Sequence, residues 1–325
     1  MAVRGAREVF APAALDPSRP SRGFAPFTPW CVVGCGPVGA GRADPRTPAV
    51  AFRSVVVTEG LRAYLVRVGL AGVVGTSREA SLRSYRLFGV RDPRVTIGID
   101  PEGVWDERDV LRHMAEKCGV MDDPRCTSGH DVIDPGRTVV ALHAFAARLA
   151  RAARHREPVL LGTGHPHRLL GFYVALADAL STAGCAVLTP AQGRRVDITT
   201  RFGLRTHNLA YVRGVGCVRD PAAEAAGCEP GAHTHSPLPV RLALAAAAEA
   251  GGPLPKLVIG DHGWICGAGQ LGFEAIGPAD VNDPAPFVGQ AEGRVSVVVP
   301  LDDAARSSYY RPLTRYVLNR ACLSQ

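Results

Sequence analysis

Apolar positions in the first half of the chain follow a helical period. Leu61, Leu65 and Val68 share one face of a segment running from Thr58 to Leu70. Thr76-Ser-Arg-Glu79 has the form of a capping box, in which the Thr76 hydroxyl and the Glu79 carboxylate satisfy reciprocal N–H groups. It opens a helix that reaches Phe88 and stops at Gly89. Asp106 caps a third helix, with Val110, Leu111 and Met114 facing inward and Gly119 ending it. Asp134-Pro135 opens a fourth, whose stripe is Val139, Leu142, Ala146, Leu149 and Ala153.

Past residue 156 the pattern shortens. Val159–Leu161, Ala186–Leu188, Leu257–Ile259 and Val295–Val299 are short apolar runs that read as buried strands, and Leu209–Val215 alternates like an exposed one. Leu169–Leu180, Pro239–Ala250, Gly267–Phe273 and Leu313–Arg320 read as helices between and after them. Strands alternating with helices predict an α/β protein with a mostly parallel, doubly wound, Rossmann-like sheet and a helical N-terminal layer. The chain divides into 1–54, 55–156 as a helical N-terminal region, and 157–325 as the α/β core domain. Residues 1–54 lack periodicity and are rich in Pro, Gly, Ala and Arg, as expected of a disordered tail or an over-extended start. Gly34 to Gly41 superficially resembles a dinucleotide loop, but Pro37 interrupts it and no helix follows.

Composition narrows the function. The chain has 325 residues, 46% hydrophobic and 21% charged, enough to bury a full core. No run approaches the roughly 18 to 20 apolar residues of a membrane helix. The net charge is +7, of which residues 1–54 carry seven Arg against three acids, 7 − 3 = +4. Only Lys117 and Lys256 are lysines, and no basic residues alternate with aromatics, so a nucleic-acid surface is not expected. The nine cysteines are scattered without a C-x-x-C pair, which favours free thiols and a cytoplasmic location. A homo-oligomer is compatible with this pattern.

Candidate chemistry gathers where the apolar runs end, which on such sheets is where ligands bind. Gly162-Thr163-Gly164 breaks the first run before a helix, so its N–H groups and the helix N-terminus are expected to hold phosphate oxygens. His165 stands on that turn as a general acid, metal ligand or phosphate contact. His233-Thr-His235 places two imidazoles on one face of an extended segment, able to bind a divalent metal or clamp a phosphate, and Ser236 follows. Asp261 and His262 close the Leu257–Ile259 run. Asn282 and Asp283 precede Pro284, either as phosphate contacts or as an Asx turn. No protein nucleophile stands out. Cys266 lacks an activating context, and Ser236 has no G-x-S-x-G elbow. The expected catalytic set is His165, Asp261 and His262. Gly162, Thr163, Gly164, Ser236, Asn282 and Asp283 contact the phosphate, and His233, His235 and Asp261 hold a divalent Mg, Mn or Zn ion. A metal-activated water attacks, and His262 protonates the leaving alcohol.

Thr76-Ser-Arg-Glu79, His113-Met-Ala-Glu-Lys-Cys-Gly119, Gly164-His-Pro166, His233-Thr-His-Ser-Pro237, Asp261-His-Gly-Trp264, Asn282-Asp-Pro284, Pro300-Leu-Asp-Asp303 and Tyr310-Arg-Pro-Leu-Thr314 resemble those of an actinobacterial family labelled "phosphatase". The resemblance covers about Val56 to Tyr316 and leaves out residues 1–54. It implies hydrolysis of a phosphomonoester and names no substrate. The expectation is therefore a phosphatase acting on a small phosphorylated metabolite. The alternatives are a non-catalytic nucleotide or sugar-phosphate binder and a phosphosugar isomerase or lyase.

Overall fold

A seven-stranded mixed sheet, ordered β4-β5-β6-β3-β7-β8-β9, carries the candidate residues at its rim. The computed structural model describes residues 59–200, 203–221 and 231–324, all within one compact unit. The expected tail at 1–54, with its glycine-rich stretch, lies outside the described residues. The elements run α1 (59–68), β1 (Gly72–Ser77), α2 (Arg78–Gly89), α3 (Pro93–Thr96), α4 (Glu107–Cys118), β2 (His130–Ile133) and α5 (Pro135–His155). They continue with β3 (Val159–Gly162), α6 (Pro166–Thr182), β4 (Arg195–Thr200), β5 (Gly203–Val212), β6 (Val215–Arg219) and α7 (Leu238–Glu249). The last are β7 (Leu257–Ile259), α8 (His262–Gln270), β8 (Ala275–Ala279), α9 (Pro284–Ala291), β9 (Val297–Pro300) and α10 (Tyr310–Arg320).

The strands β6, β3, β7, β8 and β9 are parallel, and β4 and β5 extend the sheet as an antiparallel edge. The expected α/β class and mostly parallel Rossmann-like sheet are observed. Every residue of β3, β7 and β8 is buried, as in a sheet covered on both faces. From β3 the chain first builds β6 on one side and then returns to lay β7 on the other. The strand order therefore reverses at β3/β7, and a crevice opens beyond their carboxyl ends.

Several local expectations change. The helix after Thr76 is capped by Ser77, whose hydroxyl accepts from the Ala80 N–H, because Thr76 belongs to β1 and its side chain points elsewhere. Residues 55–156 are not wholly helical, since β1 and β2 pair antiparallel. The alternation at Leu209–Val215 runs through a hairpin turn. Arg213 and Gly214 both have positive φ (49° and 83°), and Val212 pairs with Val215 across them. Ala186–Leu188 reduces to one bridge, Val187 to Val159. The helix expected from Gly267 begins five residues earlier, at His262. β8 has no counterpart in the sequence pattern because Gly277 and Pro278 interrupt it. Pro278 lies beyond the two residues paired with β7, so its missing N–H interrupts no ladder bond on that side. The caps at Asp106 and Asp134 and the αL ending at Gly119 are as expected.

Candidate active site

The turn after β3 is built differently from an amide cradle. The Thr163 N–H donates to Gly216 O at 2.8 Å, and the Gly164 N–H donates to Asp261 Oδ1 at 3.2 Å. Two of the three turn amides expected to hold phosphate, those of Thr163 and Gly164, are thus used inside the protein. The Thr163 hydroxyl accepts from the His165 N–H at 2.9 Å and fixes the turn. The flanking glycines serve close packing. A Cβ on Gly162 would lie 2.1 Å from the Trp264 ring, and one on Gly164 would lie 2.2 Å from Thr234 O. That second approach lets the Thr234 N–H donate to Gly164 O at 2.8 Å, which ties the His233-Thr-His235 segment to the turn. The Ser236 hydroxyl accepts from Leu238 N at 3.2 Å, so it caps the start of α7 rather than facing a ligand.

His262 is the hub. It is 3% exposed and sits in the left-handed region at φ +47°, a strain that a non-glycine residue keeps only where its surroundings hold it. Its Nδ1 lies 2.7 Å from Asp261 Oδ2. Its Nε2 lies 3.2 Å from Asp303 Oδ2 and 3.4 Å from Asp283 Oδ2. Asp261 therefore spends one oxygen on Gly164 and the other on His262, which fits an orienting carboxylate better than the expected metal ligand. Asp303 Oδ1 lies 3.6 Å from His165 Nδ1, and Asp283 Oδ1 lies 3.9 Å from His235 Nδ1.

The other three histidines roof this floor. The ring centroids of His165 and His233 are 4.4 Å apart, those of His233 and His235 5.0 Å, and those of His235 and His262 4.3 Å. His233 is exposed and His235 half-buried, so the cluster opens to solvent on their side. Asn282 is half-buried beside Asp283, while His167 is exposed on α6.

The charges are interdependent. Burial pushes His262 down, but Asp303, Asp261 and Asp283 overcome it and carry the ring up to about 10. Burial raises Asp283 to about 6 against the pull of His262. It would also raise Asp303, but His262 and His165 hold that group at about 2. Burial, and then the charges of His262 and His165, bring His233 down to about 4. Burial and the charge of His262 also lower His235 well below its usual range. A buried imidazolium held by its acidic neighbours, beneath two neutral imidazoles, is the result. Its depth changes one expectation: with Nε2 between two carboxylates, His262 is badly placed to protonate a leaving group.

Three helices begin here. His165, Asp261 and Asp283 stand at the N-terminal ends of α6, α8 and α9, and none caps its helix with its own side chain. Pro166, Pro284 and Pro286 lack N–H groups, so α6 and α9 contribute field more than hydrogen bonds. Three positive helix ends favour an anion above the carboxylate floor.

A family model described as Phosphatase matches residues 56–325. The chain belongs to the Phosphatase family. It is 41% identical over 268 residues to Phosphatase SCO2771 of Streptomyces coelicolor (strain ATCC BAA-471 / A3(2) / M145), a match covering 81% of this chain and 95% of that protein.

In this Phosphatase-family chain the β1–β2 pair reaches the loops that follow β8 and β9. Thr76 Oγ1 makes a very short hydrogen bond with Asp280 Oδ2, and the Gly75 N–H donates to Asp302 Oδ2 at 2.9 Å. These contacts hold the loops that carry Asp283 and Asp303. Thr76→Val should leave Asp280 buried and short of a partner, at a cost of about 1–3 kcal/mol. A urea midpoint unchanged from wild type would disprove that link. Asp303 and Asp280 were not singled out as site residues from sequence. The rule that found Asp261, a carboxylate just past a buried apolar run, also applies to Asp303 after Val297–Pro300. Cys266 is fully buried, and burial, then the charge of Asp283, pushes its thiol well above the usual range. Cys266→Ala should keep most turnover. Selective alkylation of Cys266 that stopped turnover in a folded protein would instead require a thiol mechanism.

Proposed function

We propose that the protein is a phosphoric monoester hydrolase acting on a small phosphorylated metabolite at the histidine–aspartate cluster, assisted by a divalent cation. Membership of the Phosphatase family supports a hydrolase acting on phosphate esters. The observation that carries the site is the convergence of His165, His233, His235 and His262 on Asp261, Asp283 and Asp303 at the β3/β7 reversal.

The donors suit a cation. His165 Nδ1 and Asp303 Oδ2 are buried without a hydrogen-bond partner among the described residues. His165, His233 and His262 form one group of ligand atoms within 4.8 Å of one another, and His262, Asp283 and Asp303 form another. Among the described residues no Lys or Arg pairs with these carboxylates; their partners are imidazoles. The imidazoles in this set suit Zn, and its carboxylates suit Mn. The bound cation would polarise the phosphoryl group and acidify a water.

The protein's own groups do the rest. Asp261 fixes the His262 tautomer by accepting from Nδ1. The half-exposed side, lined by His233 and His235, is where the ester enters, and the neutral His235 ring hydrogen-bonds its oxygens. The starts of α6, α8 and α9 stabilise the anion by field. Among the described residues the free cysteines Cys118, Cys126, Cys185, Cys266 and Cys322 suit the reducing cytoplasm.

The test is phosphate release from a panel of phosphorylated metabolites by the purified full chain, after chelation and after adding back Mn, Zn or Mg. Release from a monoester, lost on chelation and restored by Mn or Zn, is expected. No release from any ester under any metal would sink the hydrolase reading, and release indifferent to chelation would remove the cation.

A further inference from the structure

We infer that the cluster binds two divalent cations side by side, with Asp303 spanning them. This deepens the hydrolase reading and rests on it for its purpose, although the ion count does not depend on turnover.

The first reason is the number of donors. Asp261 is occupied by Gly164 and His262, which leaves His165, His233, His235, His262, Asp283 and Asp303 around one small volume. All of these on one ion would fill its coordination sphere, whereas an ion that works on a substrate keeps a position open. Divided between two ions, the same donors leave each with room.

The second reason is how the carboxylates are turned. Asp303 presents Oδ2 to His262 Nε2 at 3.2 Å and Oδ1 to His165 Nδ1 at 3.6 Å. Asp283 presents Oδ2 to His262 Nε2 at 3.4 Å and Oδ1 to His235 Nδ1 at 3.9 Å. Asp303 thus divides its oxygens between His262 and His165, which belong to different ligand positions, the disposition a bridging carboxylate needs, while Asp283 turns its second oxygen to His235. Asp303 is 6% exposed, and its Oδ2 has no hydrogen-bond partner among the described residues.

The third reason is His262 itself. It belongs to both candidate ligand groups, yet its Nδ1 is held by Asp261, so only Nε2 remains for coordination. One nitrogen serves one ion. His262 with Asp283 and Asp303 Oδ2 makes one position. His165 and His233 with Asp303 Oδ1 make the second. Paired ions of this kind, commonly about 3.5–4 Å apart, bind both the attacking and the leaving oxygens in phosphoryl transfer.

The experiment uses the full chain, stripped by chelation and titrated with Mn²⁺. Bound metal is counted by elemental analysis after gel filtration, and the ions are examined by low-temperature EPR. Two equivalents per chain with a spin-coupled signal are expected. His233→Ala, at an exposed position that should not disturb folding, is expected to leave one equivalent with an isolated-ion spectrum, and Asp303→Asn to abolish the coupling. One equivalent or none in the wild type, or two uncoupled ions, would overturn the proposal. A coupled pair surviving in His233→Ala would also overturn the assignment. Phosphate release is measured on the same samples. Full turnover with one ion removes the pair and keeps the hydrolase, whereas two coupled ions without turnover keep the pair and remove the hydrolase.

Discussion

His262→Ala should lower kcat/KM by roughly 100-fold or more, equivalent to about 2.7 kcal/mol of transition-state stabilisation. The imidazole contacts three carboxylates, and no neighbouring side chain can replace it. Stability should fall as well. Without the ring, Asp261, Asp283 and Asp303 face one another with their buried counter-charge gone, and removing one partner of a buried ion pair costs about 3–5 kcal/mol. Part of that loss returns in His262→Gly, because glycine accepts the left-handed backbone at φ +47° that strains alanine. Thermal unfolding of the two variants beside wild type, with initial rates for each, tests both effects. Turnover within a few-fold of wild type in a folded His262→Ala would take the hub out of the site. Equal melting temperatures for the Gly and Ala variants would mean that the backbone strain has no energetic weight.

Gly162→Ala should destabilise the protein by about 1–3 kcal/mol or more, through overpacking rather than through lost ligand contacts. The new methyl would meet the Trp264 ring at 2.1 Å, and the same ring lies against Gly216 on the neighbouring strand, where an added Cβ would meet it at 2.3 Å. Trp264 is 1% exposed and has nowhere to go. The signature is a melting temperature and a turnover that fall together. Adding Trp264→Ala removes the colliding ring, so the double variant should be more stable than additivity allows, with a coupling of the order expected for touching residues, about 0.5–3 kcal/mol. If Gly162→Ala raised KM and left the melting temperature alone, the glycine would face the ligand and the packing account would fail.

Legibility followed the range of the interactions involved. The caps at Asp106 and Asp134, the helical stripes and the runs of β3, β7 and β9 are local, and the sequence pattern declares them. β4, β6 and β8 are less visible. β4 is polar on its solvent face, β6 is separated from β5 by a two-residue turn that leaves the alternation unbroken, and β8 contains Gly277 and Pro278. Gly277 is needed where it is, since a Cβ there would fall 1.6 Å from Gly260 O, just past the end of β7. No property of the segment itself reveals that neighbour.

By itself the sequence determined the fold class and the placement of histidines and carboxylates at strand ends, because strand length, helix caps and glycine breaks act over a few residues. It also supplied His165, His233, His235, Asp261, His262 and Asp283 as a list of groups with unassigned partners. Tertiary structure alone decided their roles. The amides of Thr163 and Gly164 are spent on Gly216 and Asp261, Asp261 accepts from Gly164 and meets His262, Asp303 joins the cluster, and His262 lies beneath the other rings. Each of these depends on which strand ends lie side by side. That adjacency arises from the reversal of strand order at β3/β7, which brings together residues a hundred positions apart and has no signature in any one segment.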